Sequence, residues 1–106
     1  MKTTQITPIE LQARMKAGDK LTILDVRETQ EIRIASIGGI HIPLGELSNR
    51  FTELSPGDEI ICLCHHGVRS AHAAGFLRQQ GFEKVLNLRG GIDAWSAEVD
   101  AGVKRY

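Results

Sequence analysis

Three short segments rich in isoleucine, leucine and valine constrain the fold of this chain more than any other feature. They lie at residues 21–26, 60–63 and 84–88, and the first two are almost continuously apolar. Apolar runs of this length without alternation are typical of strands that are covered on both faces. Because helix-forming segments separate the runs, the sequence predicts an α/β fold with a mostly parallel central sheet and helices on both faces.

The helix signals between these strands are local and specific. Thr7 is placed to cap a helix that begins at Pro8, Glu10 to complete a capping box, and Gly18 to end the helix. No repeat, linker or change in composition divides the chain, so we expect one domain over residues 1–106. Further predicted elements are helices over 28–35, 46–54 and 70–80, a brief strand over 40–42 and a short helix after Gly90-Gly91.

Charge and composition exclude several classes of function. The chain has 13 basic and 13 acidic residues, a net charge of zero, which argues against a general electrostatic binder of nucleic acid or membranes. The first twelve residues lack the apolar core of a signal peptide, and no run of 18 apolar residues occurs. Cys62 and Cys64 are too close in sequence for an ordinary disulfide. We therefore expect a cytoplasmic protein with reduced cysteines.

Cys64 is the strongest candidate for a reactive group. It follows an apolar strand, where ligand sites of parallel sheets collect, and Gly67 and a helix start come soon after it. A thiol reacts as its thiolate, and backbone N–H groups in a tight loop, together with a helix start, stabilise such an anion. Gly67 permits a turn that a side chain would disfavour. The sequence therefore predicts Cys64 as a nucleophile and Cys62, inside the strand, as a core residue.

A metal site is the main alternative, since two cysteines and three histidines fall close together. Structural zinc sites usually draw on two well-separated ligand pairs, whereas these candidates lie in one short segment. We therefore predict no metal and no cofactor. His41 is predicted to be a strand residue and His72 a helix-surface residue. The candidate ligands are Cys62, Cys64, His65, His66 and His72.

Four motifs occur in an order that resembles a known family. They are LDVRE (24–28), IHIPL (40–44), CHHGVRS (64–70) and NLRGGIDAW (87–95). On these motifs the chain resembles the single-domain rhodaneses, the thiosulfate sulfurtransferase-like proteins, from about Ile6 to Trp95. Ala35-Ser36 stands where these relatives usually carry Gly-His. The resemblance implies a rhodanese-like domain in which Cys64 carries a persulfide. It also implies that this persulfide is cradled by the backbone amides of His65, His66, Gly67, Val68 and Arg69.

The resemblance also implies a reaction. A sulfane sulfur would pass from thiosulfate, or a related persulfide or polysulfide anion, through Cys64 to a thiol or cyanide. A persulfide carrier or interaction module serving a protein donor or acceptor is the alternative. Cysteine phosphatase or arsenate reductase chemistry is disfavoured, because four residues separate Cys64 from Arg69, whereas phosphatases of related fold use one more.

The roles of the charged residues near Cys64 stay open at this point. Arg69 either holds the anionic group of a donor or pairs with Asp25 or Glu28 to fix the loop. His65 and His66 are expected to be partly exposed at the mouth, adding donors and, when protonated, positive charge. The segment 25–27 is expected to brace the loop, and 89–91 to form a turn or a wall beside it.

Overall fold

The computed structural model describes residues 4–106, whose five strands form one sheet. The order across the sheet is β1-β5-β4-β2-β3, and every neighbouring pair is parallel, which confirms the predicted sheet. β1 was not predicted, because a two-residue strand is too short to show a pattern. The strands are β1 (Gln5–Ile6), β2 (Thr22–Asp25), β3 (Ile40–His41), β4 (Ile60–Leu63) and β5 (Val85–Leu88).

In the described part of the chain four α-helices connect the strands, and a fifth follows β5. Two short 3-10 turns, Leu44–Glu46 and Phe51–Glu53, flank the third helix. Across residues 4–106, no helix has the length and apolar character needed to cross a membrane. The helices are α1 (Pro8–Lys16), α2 (Thr29–Ile34), α3 (Leu47–Arg50), α4 (Val68–Gln79) and α5 (Gly91–Glu98).

The predicted start of α1 is confirmed in detail. The Thr7 hydroxyl accepts from the Glu10 N–H at 3.1 Å, and the Glu10 carboxylate accepts from the Thr7 N–H at 2.9 Å. Pro8 occupies the first turn, where its missing N–H costs no hydrogen bond. The helix ends just before Gly18, which has a φ of 81°. Local side-chain chemistry therefore sets both ends of this helix.

Two predicted helix boundaries need correction. The single helix expected over 46–54 is wrong, because only Leu47–Arg50 is α-helical there. Apolar side chains at 44 and 47, and again at 51 and 54, face the core with a spacing of three, which suits the tighter 3-10 turn. The helix expected from Ser70 begins earlier, at Val68, since Gly67 already takes the left-handed conformation that ends the loop.

The core forms two clusters, one on each face of the sheet. On one face Ile60 and Cys62 pack with Leu77 of α4, and on the other face Ile61 packs with Trp95 of α5. Successive residues of β4 thus point to opposite faces, and all are buried. This explains why β4 is apolar without alternation and confirms both the helices on both faces and the prediction of Cys62 as a core residue.

A buried ion pair lies just beyond the end of β2. The Arg27 side chain is 0% exposed, and its Nη2 lies 2.7 Å from Asp25 Oδ2. Burial alone would lower the pKa of Arg27, but hydrogen bonds with Asp25 and Tyr106 outweigh it and raise the pKa. Arg27 Nη2 also donates to the Ala35 carbonyl at 2.8 Å. The pair therefore ties the end of β2 to the chain after α2.

Replacing one member of this pair should destabilise the protein. In Asp25→Asn the buried Arg27 guanidinium loses its counter-charge, so the free energy of unfolding should fall by about 3 kcal/mol. Urea unfolding at neutral pH measures this change. Glu53→Gln, which breaks the exposed pair of Glu53 with Arg50, is the control and should have little effect. Equal losses in the two variants would contradict the importance assigned to burial.

Candidate active site

Cys64 lies at the carboxyl end of β4, near the middle of the sheet. β4 runs between β2 and β5, so the loop that follows it is flanked by the ends of two other strands. Cys64 is 1% exposed, and its Sγ accepts a hydrogen bond from the Gly67 N–H at 3.0 Å. Gly67 has a φ of 102°, a conformation that L side chains rarely adopt. The loop therefore folds back so that a backbone donor faces the sulfur.

The carbonyl groups of this loop are bonded to donors outside it. In the first turn of α5, the Ile92 N–H donates to the Cys64 carbonyl at 2.9 Å and the Asp93 N–H to the His65 carbonyl at 3.1 Å. The Asn87 Nδ2 donates to the Gly67 carbonyl at 3.0 Å. Helix-start N–H groups lack partners within their own helix, so this contact satisfies both elements. With these oxygens held elsewhere, the loop can present N–H groups to an anionic sulfur.

Gly91 makes this contact between α5 and the loop possible. A Cβ at this position would lie 2.4 Å from the His65 carbonyl oxygen and 2.5 Å from that of Cys64. Gly91 also has a φ of 64°. The sequence left open whether 89–91 forms a turn or a wall of the site. The structure shows that Gly91 lies directly against the loop, whereas Arg89 is exposed.

A buried polar pair supports the sulfur from the side of α4 and β5. The Ser70 hydroxyl lies 3.2 Å from Cys64 Sγ and 2.5 Å from Asn87 Oδ1. The amide orientation follows from Asn87 Nδ2, because the Gly67 carbonyl that it contacts can only accept. A hydroxyl has one proton, so Ser70 donates either to Asn87 or to the sulfur. This group can therefore respond to the charge on Cys64.

Arg69 turns back onto a carboxylate, but not onto either of those predicted. Its Nη1 and Nη2 donate to Glu31 Oε1 and Oε2 at 2.6 and 2.9 Å. Asp25 is already paired with Arg27. The backbone N–H of Glu28 donates to the same Glu31 carboxylate, at 3.1 Å. The pairing with Asp25 or Glu28 is thus wrong, and Glu31 of α2 takes that place.

This geometry changes the acidity of Glu31. The hydrogen bonds from Arg69 lower the pKa of Glu31 to about 2, and burial opposes them. The Tyr106 hydroxyl and the backbone N–H of Glu28 lower it further. The Glu31 carboxylate is therefore ionised, and held in one orientation, at neutral and mildly acidic pH.

The two histidines after Cys64 form one stack with Tyr106. The ring centroids of His65 and His66 are 3.9 Å apart, and those of His65 and Tyr106 are 3.8 Å apart with an interplanar angle of 8°. His66 is exposed, whereas His65 is half-buried, and its buried Nε2 has no hydrogen-bond partner within residues 4–106. Val68 is 68% exposed on the first turn of α4. The structure thus gathers the predicted loop residues but leaves Val68 facing solvent.

Cys62, His41 and His72 lie outside the Cys64 loop. Cys62 is buried in β4, and burial raises its pKa to about 12. His41 lies in β3 and His72 on the exposed side of α4, as predicted. Within residues 4–106, no group of three or more histidine, cysteine or acidic side chains could hold a metal ion. The nucleophilic side chain that the structure places at this edge of the sheet is the Cys64 thiol.

Comparison with known proteins agrees with this geometry. The rhodanese-like domain matches residues 7–98. The chain belongs to the rhodanese-like family. Bacillus subtilis (strain 168) YrkF, named as a sulfur carrier protein, is 42% identical over 101 residues, or 92% of this chain. This rhodanese-like chain spans 55% of the length of YrkF.

Two further similarities cover nearly the whole of both chains. YtwF of the same strain, named as a sulfurtransferase, is 31% identical over 92% of this chain and 95% of its own. The crystal structure of a rhodanese-related protein from Thermoplasma volcanium superposes with a TM-score of 0.83 at 35% identity. That superposition covers 91% of this chain and 93% of the other. These similarities support a role in sulfur transfer of the rhodanese type.

Sequence reasoning missed three residues of the site: Glu31, Asn87 and Tyr106. Asn87 left a usable signal, because a polar residue inside the apolar strand 85–88 must find a partner when buried. Glu31 lies on a short helix with a mostly polar sequence, and its partner, Arg69, is distant along the chain. Tyr106 lies outside the region that carries the family motifs. Neither of these two could be assigned from local pattern.

Substitution of Gly91 tests whether this glycine is needed for close contact with the Cys64 loop or only for the turn before α5. Gly91→Ala should lower the free energy of unfolding by on the order of 3 kcal/mol, from strained φ and overlap with the loop carbonyls. Gly75→Ala is the matched control, because a Cβ there meets nothing within 4 Å and Gly75 lies inside α4. It should stabilise by about 0.5 to 1 kcal/mol. Urea unfolding measures both, and equal effects would refute the close contact.

The pKa of Glu31 predicts an acid-sensitive contribution to stability. Because folding lowers this pKa from 4.5 to about 2, the stabilisation is complete above about pH 4.5 and is lost as pH falls towards 2. It amounts to on the order of 3 kcal/mol at neutral pH. Glu31→Gln should therefore be less stable at neutral pH and show a flatter stability profile between these limits.

The control for this experiment is Glu98→Gln, which makes the same change of charge at an exposed position. Urea unfolding is measured from neutral pH down to pH 2 for both variants and the parent. If Glu31→Gln retained the parent's slope in the acid range, the ion pair with Arg69 would not be the source of that slope.

Proposed function

We propose that this protein is a rhodanese-type sulfurtransferase that moves a sulfane sulfur through a persulfide on Cys64. The observation that carries the proposal is the hydrogen bond from the Gly67 N–H to Cys64 Sγ at 3.0 Å, in a loop whose carbonyls are bonded outward. The similarity to proteins named as sulfurtransferase and sulfur carrier supports it. A backbone cradle for one sulfur anion suits both the thiolate and the persulfide.

The reaction takes place in two displacements. The Cys64 thiolate attacks the outer sulfur of thiosulfate or of a persulfide, a new S–S bond forms, and the donor's own bond to that sulfur breaks. Sulfite or a thiolate leaves with the bonding electron pair. An acceptor thiolate, or cyanide in an assay, then attacks the outer sulfur of the Cys64 persulfide. The Cys64 thiolate leaves, so no oxidant or reductant is consumed.

The residues around Cys64 have separate tasks in this mechanism. The backbone N–H groups of residues 65–69 donate hydrogen bonds to the outer sulfur. The Ser70 hydroxyl can turn to donate to Cys64 Sγ when that sulfur is negatively charged. His66 and Val68 are exposed beside the loop and are placed to meet an incoming donor or acceptor. Asn87 keeps the Gly67 carbonyl turned away from the sulfur. No general base is required when the nucleophile is already a thiolate.

One observation favours the second candidate, a persulfide carrier that serves a protein partner. Arg69 is the only lysine or arginine in segment 64–70, and its guanidinium is engaged by Glu31 in two hydrogen bonds. A small dianion such as thiosulfate would have to compete for it. A protein persulfide brings its own binding surface and a single reacting charge. Comparing kcat/KM for thiosulfate with that for a protein persulfide distinguishes an independent enzyme from a carrier.

Intact-mass spectrometry after mixing with a sulfur donor tests the proposal directly. The parent and Cys62→Ala should each gain the mass of one sulfur atom, because Cys62 lies in the core away from the loop. Cys64→Ser should gain none while keeping its unfolding midpoint. Treatment with cyanide or a thiol should remove the added sulfur. Loss of loading in both cysteine variants, or loading of Cys64→Ser, would contradict the assignment of Cys64.

A further inference from the structure

Tyr106 contacts one end of the active loop directly and the other end through Glu31. Its ring stacks on His65, directly after Cys64, with centroids 3.8 Å apart. Its hydroxyl donates to Glu31 Oε2 at 2.7 Å, and the same carboxylate holds Arg69, which lies just past the other end of the loop. One side chain from outside the family motifs thus links His65 to the carboxylate that holds Arg69.

The segment that carries Tyr106 is packed in place. We call residues 99–106, which follow α5, the strap. Val103 packs against the core cluster that includes Trp95, and its carbonyl accepts from the Ser96 hydroxyl. Arg105 is paired with Asp93 of α5 through contacts of 3.0 and 3.1 Å. Tyr106 is 36% exposed. The strap therefore presents Tyr106 to the loop from several independent anchors.

The Tyr106 hydroxyl links two ion pairs. It accepts from Arg27 Nη1 at 2.9 Å while it donates to Glu31. Arg27 is fixed by Asp25, so the hydroxyl is held by a rigid donor and in turn holds the Glu31 carboxylate. Hydrogen bonds to a carboxylate from a positioned donor restrict its orientation and favour its charged form. Tyr106 thus helps to keep Glu31 on Arg69.

The consequence concerns the charge of the donor. A small dianion approaching Cys64 meets the Glu31 carboxylate and an arginine whose charge is already balanced. Its attraction to Arg69 is offset by repulsion from the Glu31 carboxylate, which lies 2.6 Å from the guanidinium. A persulfide carries one negative charge on its reacting end and loses less from this arrangement.

We propose that Tyr106 is a positioning residue that lowers the use of small dianionic donors relative to persulfides by holding Glu31 on Arg69. This inference rests on the proposed sulfur transfer through Cys64. Both donors deliver the same sulfur to the same thiolate. They differ in the leaving group, which is the sulfite dianion in one case and a thiolate in the other.

The experiment compares two donors across four proteins. Thiosulfate and cysteine persulfide are used with the parent, Tyr106→Phe, Glu31→Gln and the double variant. Tyr106→Phe keeps the ring on His65 and removes only the hydroxyl. It should raise kcat/KM for thiosulfate about threefold, through KM, and change that for cysteine persulfide by less than about twofold. Glu31→Gln should raise the thiosulfate value by about tenfold.

The double variant tests whether Tyr106 acts through Glu31. In the Glu31→Gln background, removal of the Tyr106 hydroxyl should give no further gain with thiosulfate. High salt should shrink the thiosulfate gain of the single variants, because the effect is electrostatic. Assays are run well below the unfolding midpoint of each variant. If Tyr106 acted only on stability, its substitution would lower kcat/KM for both donors together and leave the ratio of the two values unchanged.

The possible results separate the two levels of the proposal. An unchanged donor ratio in Tyr106→Phe, or equal and additive gains in the two backgrounds, overturns the role of Tyr106 and leaves sulfur transfer through Cys64 intact. If neither donor adds sulfur to the parent or to any variant, the proposed function fails and this inference fails with it. A gain in kcat/KM that is confined to thiosulfate and is non-additive in the double variant supports both the sulfur transfer through Cys64 and the role of Tyr106.

Discussion

The contact between the first turn of α5 and the Cys64 loop is the interaction on which the site depends. Two N–H groups of α5 have no acceptor within their own helix and instead donate to the carbonyls of Cys64 and His65. This turns the loop so that a different set of backbone groups, the N–H donors, can face the sulfur. The arrangement requires close approach of two backbones, which only glycine at position 91 allows. Helix α5 therefore helps to set the electrostatic environment of Cys64 at the carboxyl end of β4, the central strand.

A line of alternating charges supports the other side of the loop. Asp25 holds Arg27, Arg27 donates to Tyr106, Tyr106 donates to Glu31, and Glu31 holds Arg69. Both arginines of this line have a carboxylate partner, so their positive charges are balanced rather than free. The line joins the end of β2, the start of α2, the start of α4 and the strap. The same contacts that stabilise the fold thus also set the potential that an incoming anion encounters.

The features that could be predicted from the sequence were those whose interacting residues lie close together along the chain. The capping box at Thr7, the apolar strand β4 and the separation of Cys62 from Cys64 depend on residues a few positions apart, and these were predicted correctly. The partner of Arg69 is 38 residues away, and the hydroxyl bonded to Glu31 is 75 residues away. Asp25 and Glu28, which follow or end the first long strand, were the predicted partners, and only the folded chain shows that Asp25 is already paired with Arg27. The two-residue β1 was missed because its pairing with β5, not its own composition, makes it a strand.

In the proposed mechanism the cradled sulfur carries one negative charge both as thiolate and as persulfide. A loop of fixed N–H dipoles can stabilise both forms without rearrangement, since the charge moves outward by one bond and does not change in magnitude. An unpaired arginine in the same place would bind a dianionic donor or product more strongly than either working form of the sulfur. Pairing Arg69 with Glu31 avoids that imbalance and still leaves the guanidinium as a rigid support for the start of α4. On this view the ion pair belongs to the electrostatic design of the site as much as to the stability of the fold, because it matches the charge of the cradle to the single charge that it holds throughout the reaction.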